Sequence, residues 1–545
     1  MMQSSLALRR YYRSTMIRKL LSLALLILPL AVGAAPKGPP NIVFLFADDL
    51  TCQAISAFGD SRKLLSTPGM DRIAKEGMRF DRCLVTNSIC GPSRACVLTG
   101  KYSHANGFYN NSNSKFDGSQ TTFPKLLQKA GYSTAIIGKW HLMTDPTGFD
   151  YWNILPGQGV YYNPATIDNG KTVKHTGYVT DIIGDISLDW LKNRDRTKPF
   201  LLMCQHKAPH REWEPPARLL GFDNDRVYDE PETLFDPYTA RSKAVSDQDM
   251  SIEKTMTDRD LKLATPGQLN EEQRKYWDDY YGPRNEKYRA ANLSGKDLIK
   301  WRYQRYMHDY LACVKAVDEN ISRVLDYLDK EGLADNTVVM LSSDQGFFLG
   351  EHGWFDKRWI FEESLRTPLM VRWPGVTKPG GSTSQIVSLI DFANTFLDIA
   401  GQQPIADAHG RSFVPLLKGE TPADWRKSLY YHYYEFPVPH RVRPHYGVIT
   451  DKYKLIHYYK PDVDDWELLD RSKDPLETKN FYADPAYADT VKELKAELIR
   501  LQAEVKETVP PPRFTHGNKA FDGEPQPPTP PGGGKGGKRK GKAKE

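Results

Sequence analysis

The sequence predicts an α/β fold: a mostly parallel sheet flanked by helices, followed by a smaller antiparallel-sheet subdomain. Three observations carry this. Short apolar runs recur along the chain, helix-period segments lie between them, and the texture changes to aromatic alternation near the C-terminus. The runs are Asn41–Ala47 (NIVFLFA), Ser133–Ile137, Phe200–Cys204, Thr337–Leu341 and Leu369–Trp373. Their β-rich, unalternating character is that of parallel strands buried on both faces. The clearest helix places Tyr310, Val314, Val317, Ile321, Val324, Leu325 and Leu328 three or four residues apart and stops at Gly332. Strand alternating with helix argues for an α/β sheet.

Residues 211–300 are polar, rich in Pro, Asp and Glu, and poor in strand signals. They read as a long insertion above the sheet, with helices near 268–280 and 295–330; such segments shape access to sites. From about Trp425 the runs SLYYHYYEF, YGVITDKYKLIHYY and WELLD predict an antiparallel sheet, with a helix around Ala486–Lys506. The expected organisation is a leader at 1–34, a large α/β domain at 35–424, a C-terminal α+β subdomain at 425–510 and a disordered tail at 511–545. No internal repeat is visible.

The chain has 545 residues, 40% hydrophobic and 26% charged, with mean hydropathy −0.57. That length suits one large domain plus a smaller one, and the apolar content excludes a disordered chain. The net charge of +6 is carried by the ends. Residues 1–34 hold five basic groups and no acid, and residues 531–545 hold six basic groups and one acid, which leaves −4 for residues 35–530. A mildly acidic body excludes a nucleic-acid-binding core. The segment from Leu20 to Val32 is apolar but short for a bilayer core of about 30 Å, and Pro29 interrupts it. With Val32-Gly33-Ala34 behind it, this reads as a secretory signal rather than a retained anchor, with Met16 an alternative start. Export to the periplasm or outside the cell, without stable membrane insertion, is therefore expected. The Pro/Gly/Lys tail is a solvated end that could touch an acidic polymer.

Six cysteines (Cys52, Cys83, Cys90, Cys96, Cys204 and Cys313) show neither CxxC nor zinc spacing. Four of them crowd into residues 52–96, which leaves room for one disulfide.

Polar residues follow the strand runs: Asp48-Asp49, then Lys139 and His141, then His206 and His210, then Asp344-Gln345. Ligands bind outside the carboxyl ends of strands in open α/β sheets, so these groups are expected to converge. Three carboxylates and an amide oxygen are hard ligands that suit Ca²⁺ or Mg²⁺ rather than zinc.

The segment Cys90-Gly91-Pro92-Ser93-Arg94 with Leu98-Thr99-Gly100 resembles the maturation motif of the sulfatase family in the alkaline-phosphatase-like superfamily. NIVFLFADD, GKWHL, KAPH and SSDQGFFLGEHGWFDKR match further family blocks in order, over about residues 40–510. The blocks look most like bacterial acetylglucosamine-6-sulfatase and iduronate-2-sulfatase-like enzymes. The resemblance implies a mixed, mostly parallel sheet and a sulfuric ester hydrolase acting on a sulfated carbohydrate. It also implies that a formylglycine-generating enzyme oxidises Cys90 to formylglycine, whose hydrate is the nucleophile. Asp48, Asp49, Asp344, Gln345 and modified Cys90 would hold Ca²⁺, with Mg²⁺ an alternative. Gln345 departs from the Asn or His of many relatives. Arg94 would fix the nucleophile's hydroxyl, Lys139 and Lys357 would neutralise sulfate, His141 would take the proton when the aldehyde is regenerated, and His210 would protonate the leaving alcohol. His206 and His352 have no universal role in the family and are expected to contact substrate. Arg, Trp and Tyr residues of HREWEPP and PHRVRPHYG are further candidates for binding sugar. Two other readings stay open: a phosphonate or phosphate monoester hydrolase of the same superfamily, and a non-catalytic protein that binds anionic glycans.

Overall fold

The structure is a computed structural model and describes residues 38–460 and 462–508. The leader and the tail expected from the sequence lie outside the described residues. A ten-stranded sheet runs through the larger part. Its strands are β1 (Asn41–Ala47), β2 (Met78–Phe80), β3 (Ser133–Lys139), β4 (Tyr151–Leu155), β5 (Ala165–Asp168), β6 (Lys171–Lys174), β7 (Phe200–His206), β8 (Thr337–Ser343), β9 (Leu369–Arg372) and β10 (Gly381–Thr383). They lie in the order β10-β2-β9-β8-β1-β7-β3-β4-β5-β6. The five central strands, β8-β1-β7-β3-β4, are mutually parallel.

β1 shows why its run is apolar without alternation. Ile42, Phe44 and Phe46 face one core, with Phe392 and Phe396 of a helix at Phe392–Ile399. Val43 and Leu45 face the other, formed by the long helix Gly295–Lys330 through Tyr310, Val314, Val317 and Ile321. Both faces are dry, so neither parity carries a polar side chain. Register then places the strand ends level: Ala47 pairs with both His206 and Ser343, and Gly138 pairs with Gln205. Asp48, Lys139, Lys207 and Asp344 therefore leave the sheet together.

The expected strands are found, with one difference of direction. β9 runs antiparallel to β8, with Leu369 opposite Ser342 and Arg372 opposite Val339. A parallel partner needs a crossover of a dozen or more residues, usually helical, and the link from 344 to 368 holds only one four-residue α-helix. A short apolar run reports burial and says nothing about direction.

In the insertion the first helix runs over Glu271–Ala291, past the end expected for it and through Pro283. Asn270 and Gln273 close a capping box at its start. The second helix spans Gly295–Lys330. The C-terminal sheet is an antiparallel meander of β11 (Ser428–Tyr433), β12 (His445–Thr450), β13 (Tyr453–Lys460) and β14 (Val463–Asp470). Tyr430, Val448, Leu455 and Leu468 meet Leu494, Leu498 and Leu501 of the closing helix Ala488–Glu504. All six cysteines are buried free thiols, so the disulfide for which residues 52–96 left room is absent. Among the described residues no helix is long and apolar enough to cross a membrane.

Candidate active site

The motif segment forms helix α1 (Cys90–Thr99), whose ten residues are all buried. Pro92 sits in its first turn, where no intrahelical N–H is lost. Gly100 ends it in the left-handed region at φ 69°. A side chain at Gly91 would strike Phe108 at 2.5 Å, so the first turn packs against that ring without a gap. Cys90 thus stands at a helix N-terminus, where unpaired N–H groups and the helix dipole favour an anion.

The loops after β1 and β8 are stitched to each other beside it. The Asp49 N–H donates to Asp344 Oδ1 at 3.1 Å and the Leu50 N–H to Ser343 Oγ at 2.9 Å. Tyr310, from the long helix, donates its hydroxyl to the Asp49 carbonyl at 2.7 Å and receives the Thr51 N–H at 3.2 Å. Asp49 is held at φ 64° and His141 at φ 56°, conformations that non-glycine residues adopt rarely and that cluster at functional sites.

Asp48, Asp49 and Asp344 are fully buried and offer oxygens within 4.8 Å of one another; Asp48, Cys90 and His210 form a second such group. Gln345 joins them, its amide donating to Asp344 Oδ1 at 2.7 Å and to Asp49 Oδ1. Three cations answer the three carboxylates. Arg94 donates to Asp344 Oδ2 from Nη2 at 2.9 Å, and to the Lys139 carbonyl and Gln205 Oε1 from Nη1 at 2.9 and 2.6 Å. Lys139 contacts Asp48 and donates to Gln158 Oε1 at 2.6 Å. Lys357 grips both oxygens of Asp49 at 2.7 Å.

The donor set fits a hard divalent cation. Asp48 Oδ2 lies against the Lys139 ammonium, but Asp48 Oδ1 and Gln345 Oε1 are buried acceptors with no hydrogen-bond donor. Buried acceptors in that state are costly, and an ion ligated at about 2.3–2.6 Å would satisfy them. The three carboxylates are answered by Arg94, Lys139 and Lys357, with Lys207 close by and with burial pulling the Lys139 ammonium well below its usual value, so an added divalent ion leaves the site with an excess of positive charge suited to an anionic ester.

Burial pushes the Cys90 thiol up to about 12, so the unmodified side chain is a protonated, weak nucleophile. Burial and then the charge of Lys139 push both His141 and His210 well below the usual imidazole value. Both are neutral at pH 7, and His210 Nε2 lies 4.0 Å from Asp49 Oδ2.

His206 and His352 sit apart from this centre. His206 lies on the strand parity of Cys204, with its Nε2 3.7 Å from that thiol, and burial lowers it to about 4. His352 holds Asp236 at 2.8 Å from Nδ1 inside a box of Phe348, Trp354 and Phe361. Of the candidate sugar binders, Arg211 is locked on Asp260, Arg443 on Asp462, and Trp213 is fully buried against Tyr306.

Four site residues were not singled out from the sequence: Gln158, Gln205, Tyr310 and Lys207. Lys207 is buried, with its ammonium 4.8 Å above the Tyr161 ring; burial lowers it to about 8, although Glu214 and Glu212 oppose this. Its position in KAPH, three residues before His210, was the available signal.

Comparison with known proteins agrees with this geometry. A sulfatase family model matches residues 40–402, and a model for the C-terminal region of N-sulphoglucosamine sulphohydrolase matches residues 350–504. The chain is 50% identical over 521 residues to an N-acetylglucosamine-6-O-sulfatase of Bacteroides thetaiotaomicron, covering 91% of this chain and 92% of that protein. It is 29% identical over 443 residues to human N-acetylglucosamine-6-sulfatase, covering 76% and 71%. A solved structure 50% identical to it, in complex with its substrate D-glucosamine-2-N,6-O-disulfate, superposes with a TM-score of 0.84 over 87% of this chain and 99% of the other. With the motif residues gathered at one end of a shared fold, the chain belongs to the sulfatase family and is a sulfatase.

Proposed function

We propose that this enzyme removes the 6-O-sulfate from sulfated glucosamine units of a carbohydrate, using a formylglycine made from Cys90 and one divalent ion, Ca²⁺ by preference over Mg²⁺. One observation carries the chemistry: Cys90 opens a buried helix at the point where three carboxylates and three cations meet. The sugar rests on the relatives, whose printed substrates are 6-sulfated N-acetylglucosamine and glucosamine-2-N,6-O-disulfate. Both are sulfate esters, which favours this reading over a phosphonate hydrolase or a non-catalytic glycan binder.

A formylglycine hydrate supplies a nucleophilic hydroxyl and a second one that can expel sulfate by collapsing to the aldehyde, without another attack at sulfur. Asp48, Asp49, Asp344 and Gln345 would hold the ion, which supplies Lewis-acid polarisation of the sulfate oxygens. Arg94 fixes Asp344 and the Lys139 backbone in one plane of hydrogen bonds, so it positions both the ligand set and a cation. Lys139 and Lys357 offer charge where the sulfate oxygens become more negative. His210, partly exposed and 4.0 Å from Asp49, is the candidate to deliver the proton to the departing sugar hydroxyl, a role for which the negative charge of bound sulfate would have to lift it from the depressed value that burial and Lys139 impose. His141, buried and neutral, is placed to take the proton released as sulfate leaves. His206 and His352 act in this reading as packing groups that support the strand end and the 348–361 loop.

The decisive measurement is sulfate release from a panel of glucosamines sulfated at one position each, N-acetylated or N-sulfated, with a phosphate ester as control. Release from the 6-O-sulfated members is expected; release from the phosphate ester alone would overturn the assignment. The mass of the Cys90 peptide from an active preparation should show loss of the thiol in favour of an aldehyde.

A further inference from the structure

The long helix Gly295–Lys330 has two uses. Tyr306 and Tyr310 point to the sheet, with Tyr310 holding the Asp49 carbonyl. Trp301, Gln304, Arg305 and His308 fall on the opposite side, because a helix turns about 100° per residue. On that outer side the helix meets Glu271–Ala291 across a cavity of about 430 Å³, within the range of small-ligand sites.

The lining is aromatic and basic. Tyr288 and Trp301 stack face to face with centroids 3.8 Å apart. Arg284 lies 3.8 Å over Tyr280, and Arg305 lies 5.0 Å over Trp301 and 5.2 Å over Tyr281. Arg305 is only 9% exposed, yet it donates to the Leu261 carbonyl and Asn285 Oδ1 and, among the described residues, to no carboxylate. Arg284 and Lys287 also lack an acidic partner among the described residues. The nearby Asp309 is engaged by Tyr281 at 2.6 Å and by Lys262 at 3.4 Å. Elsewhere on these two helices Lys275, Lys300 and Arg323 hold acidic partners, whereas Arg274, Arg289, Lys296, Arg302, Lys315 and Lys330 have none among the described residues, so what sets the cleft apart is the burial of Arg305 in it. A buried guanidinium without a counter-charge normally acquires one, and a planar fork suits an oxyanion.

We propose that this cleft is a second saccharide-binding site, taking a sulfated sugar unit of the substrate polymer distant from the unit being hydrolysed. Tyr280, Tyr288 and Trp301, whose stacked faces are already shared with one another and with Arg284 and Arg305, would meet the C–H groups of the sugar with the parts of their rings open to the cleft, and Arg284, Lys287 and Arg305 would take its sulfate. The site rests on the reading that the substrate is a sulfated carbohydrate, and it does not depend on which position is hydrolysed.

The test uses the full chain carrying Cys90→Ala, which prevents turnover, in native gels containing a sulfated glucosamine polymer or its desulfated form. Arg284→Gln/Lys287→Gln changes two residues at the cleft without touching the core, and Trp301→Ala removes the platform. The sulfated polymer is expected to retard the parent, with each variant bound about tenfold more weakly, through lost charge-assisted contacts in the double variant and lost ring contact in Trp301→Ala. On the otherwise native enzyme, both variants are expected to keep kcat/KM for a 6-O-sulfated monosaccharide. Undiminished retardation of the double variant, or equal retardation by the desulfated polymer, would overturn the site. Failure of the monosaccharide panel would instead overturn the 6-O assignment and leave this binding result standing.

Discussion

Two fully buried carboxylates, Asp48 and Glu467, have opposite surroundings. Glu467 in β14 is saturated. Arg241 reaches both its oxygens at 2.9 and 3.1 Å, the Ser242 N–H donates at 2.8 Å, and Tyr458 donates at 3.0 Å. Asp48 has counter-charge from Lys139, which lies against Oδ2, and, at 3.8 Å, from Arg94, but its Oδ1 accepts no hydrogen bond. Burial and charge are the same in kind; satisfaction differs. A complete shell marks a joint, here between the insertion and the C-terminal sheet. An incomplete one marks a place kept for something that arrives later.

The largest expected effect breaks the second environment at its centre. Cys90→Ala should lower kcat by about 10⁴-fold or more while leaving the thermal midpoint near that of the parent, read by steady-state sulfate release and calorimetry. Next, stripping divalent ions with a chelator, or Asp344→Asn, should cost about 10³-fold in activity. Ca²⁺ added back at a hundred times its Kd should stabilise the parent by about 2.7 kcal/mol, and should do nothing comparable for Asp344→Asn.

Glu467 should respond the other way. Glu467→Gln leaves Arg241 buried without its charge partner and should destabilise by about 3–5 kcal/mol with its Ca²⁺ response intact, as urea unfolding with and without the ion would show. Burial pushes the Glu467 carboxyl up, but Arg241 overcomes this and holds it below the usual range. The unfolded chain therefore takes up that proton first as pH falls. The stabilisation is present above about pH 4.3 and is lost below it, so parent and variant should converge in stability on acidification. The smallest effect concerns Lys207. Lys207→Met should raise KM about tenfold with kcat little changed, if its ammonium meets an anionic group of the substrate in the bound complex. An unchanged KM would confine Lys207 to the packing on Tyr161.

Much of this centre was legible because its groups sit in short blocks: Asp48-Asp49 after NIVFLFA, the Cys90 motif, Asp344-Gln345 after TVVML. What could not be read were contacts between distant positions. Gln205 ends a strand like any polar residue, and only the pairing of β7 with β3 brings it to Arg94, 111 positions away. Tyr310 has the spacing of a core residue and is one, yet its hydroxyl secures Asp49 from 261 positions off. The same holds for the candidate sugar binders: Arg211 and Arg443 are engaged by Asp260 and Asp462, partners 49 and 19 positions away that no local pattern marks. The direction of β9 was lost for a different reason, since apolarity is the same whichever way a strand runs.

The enclosure of α1 has a consequence in time. Cys90 is 1% exposed, and the first turn around it is packed against Phe108 and tied to Asn111. No second protein could grasp that segment in the finished molecule, because its extended backbone would have to be pulled out of the core. If Cys90 is oxidised by a maturation enzyme, the meeting must come while the segment is still a strand of unfolded chain, before α1 closes. Folding would then be the competitor of maturation: a chain that folds early would be stable, correctly shaped and permanently inert.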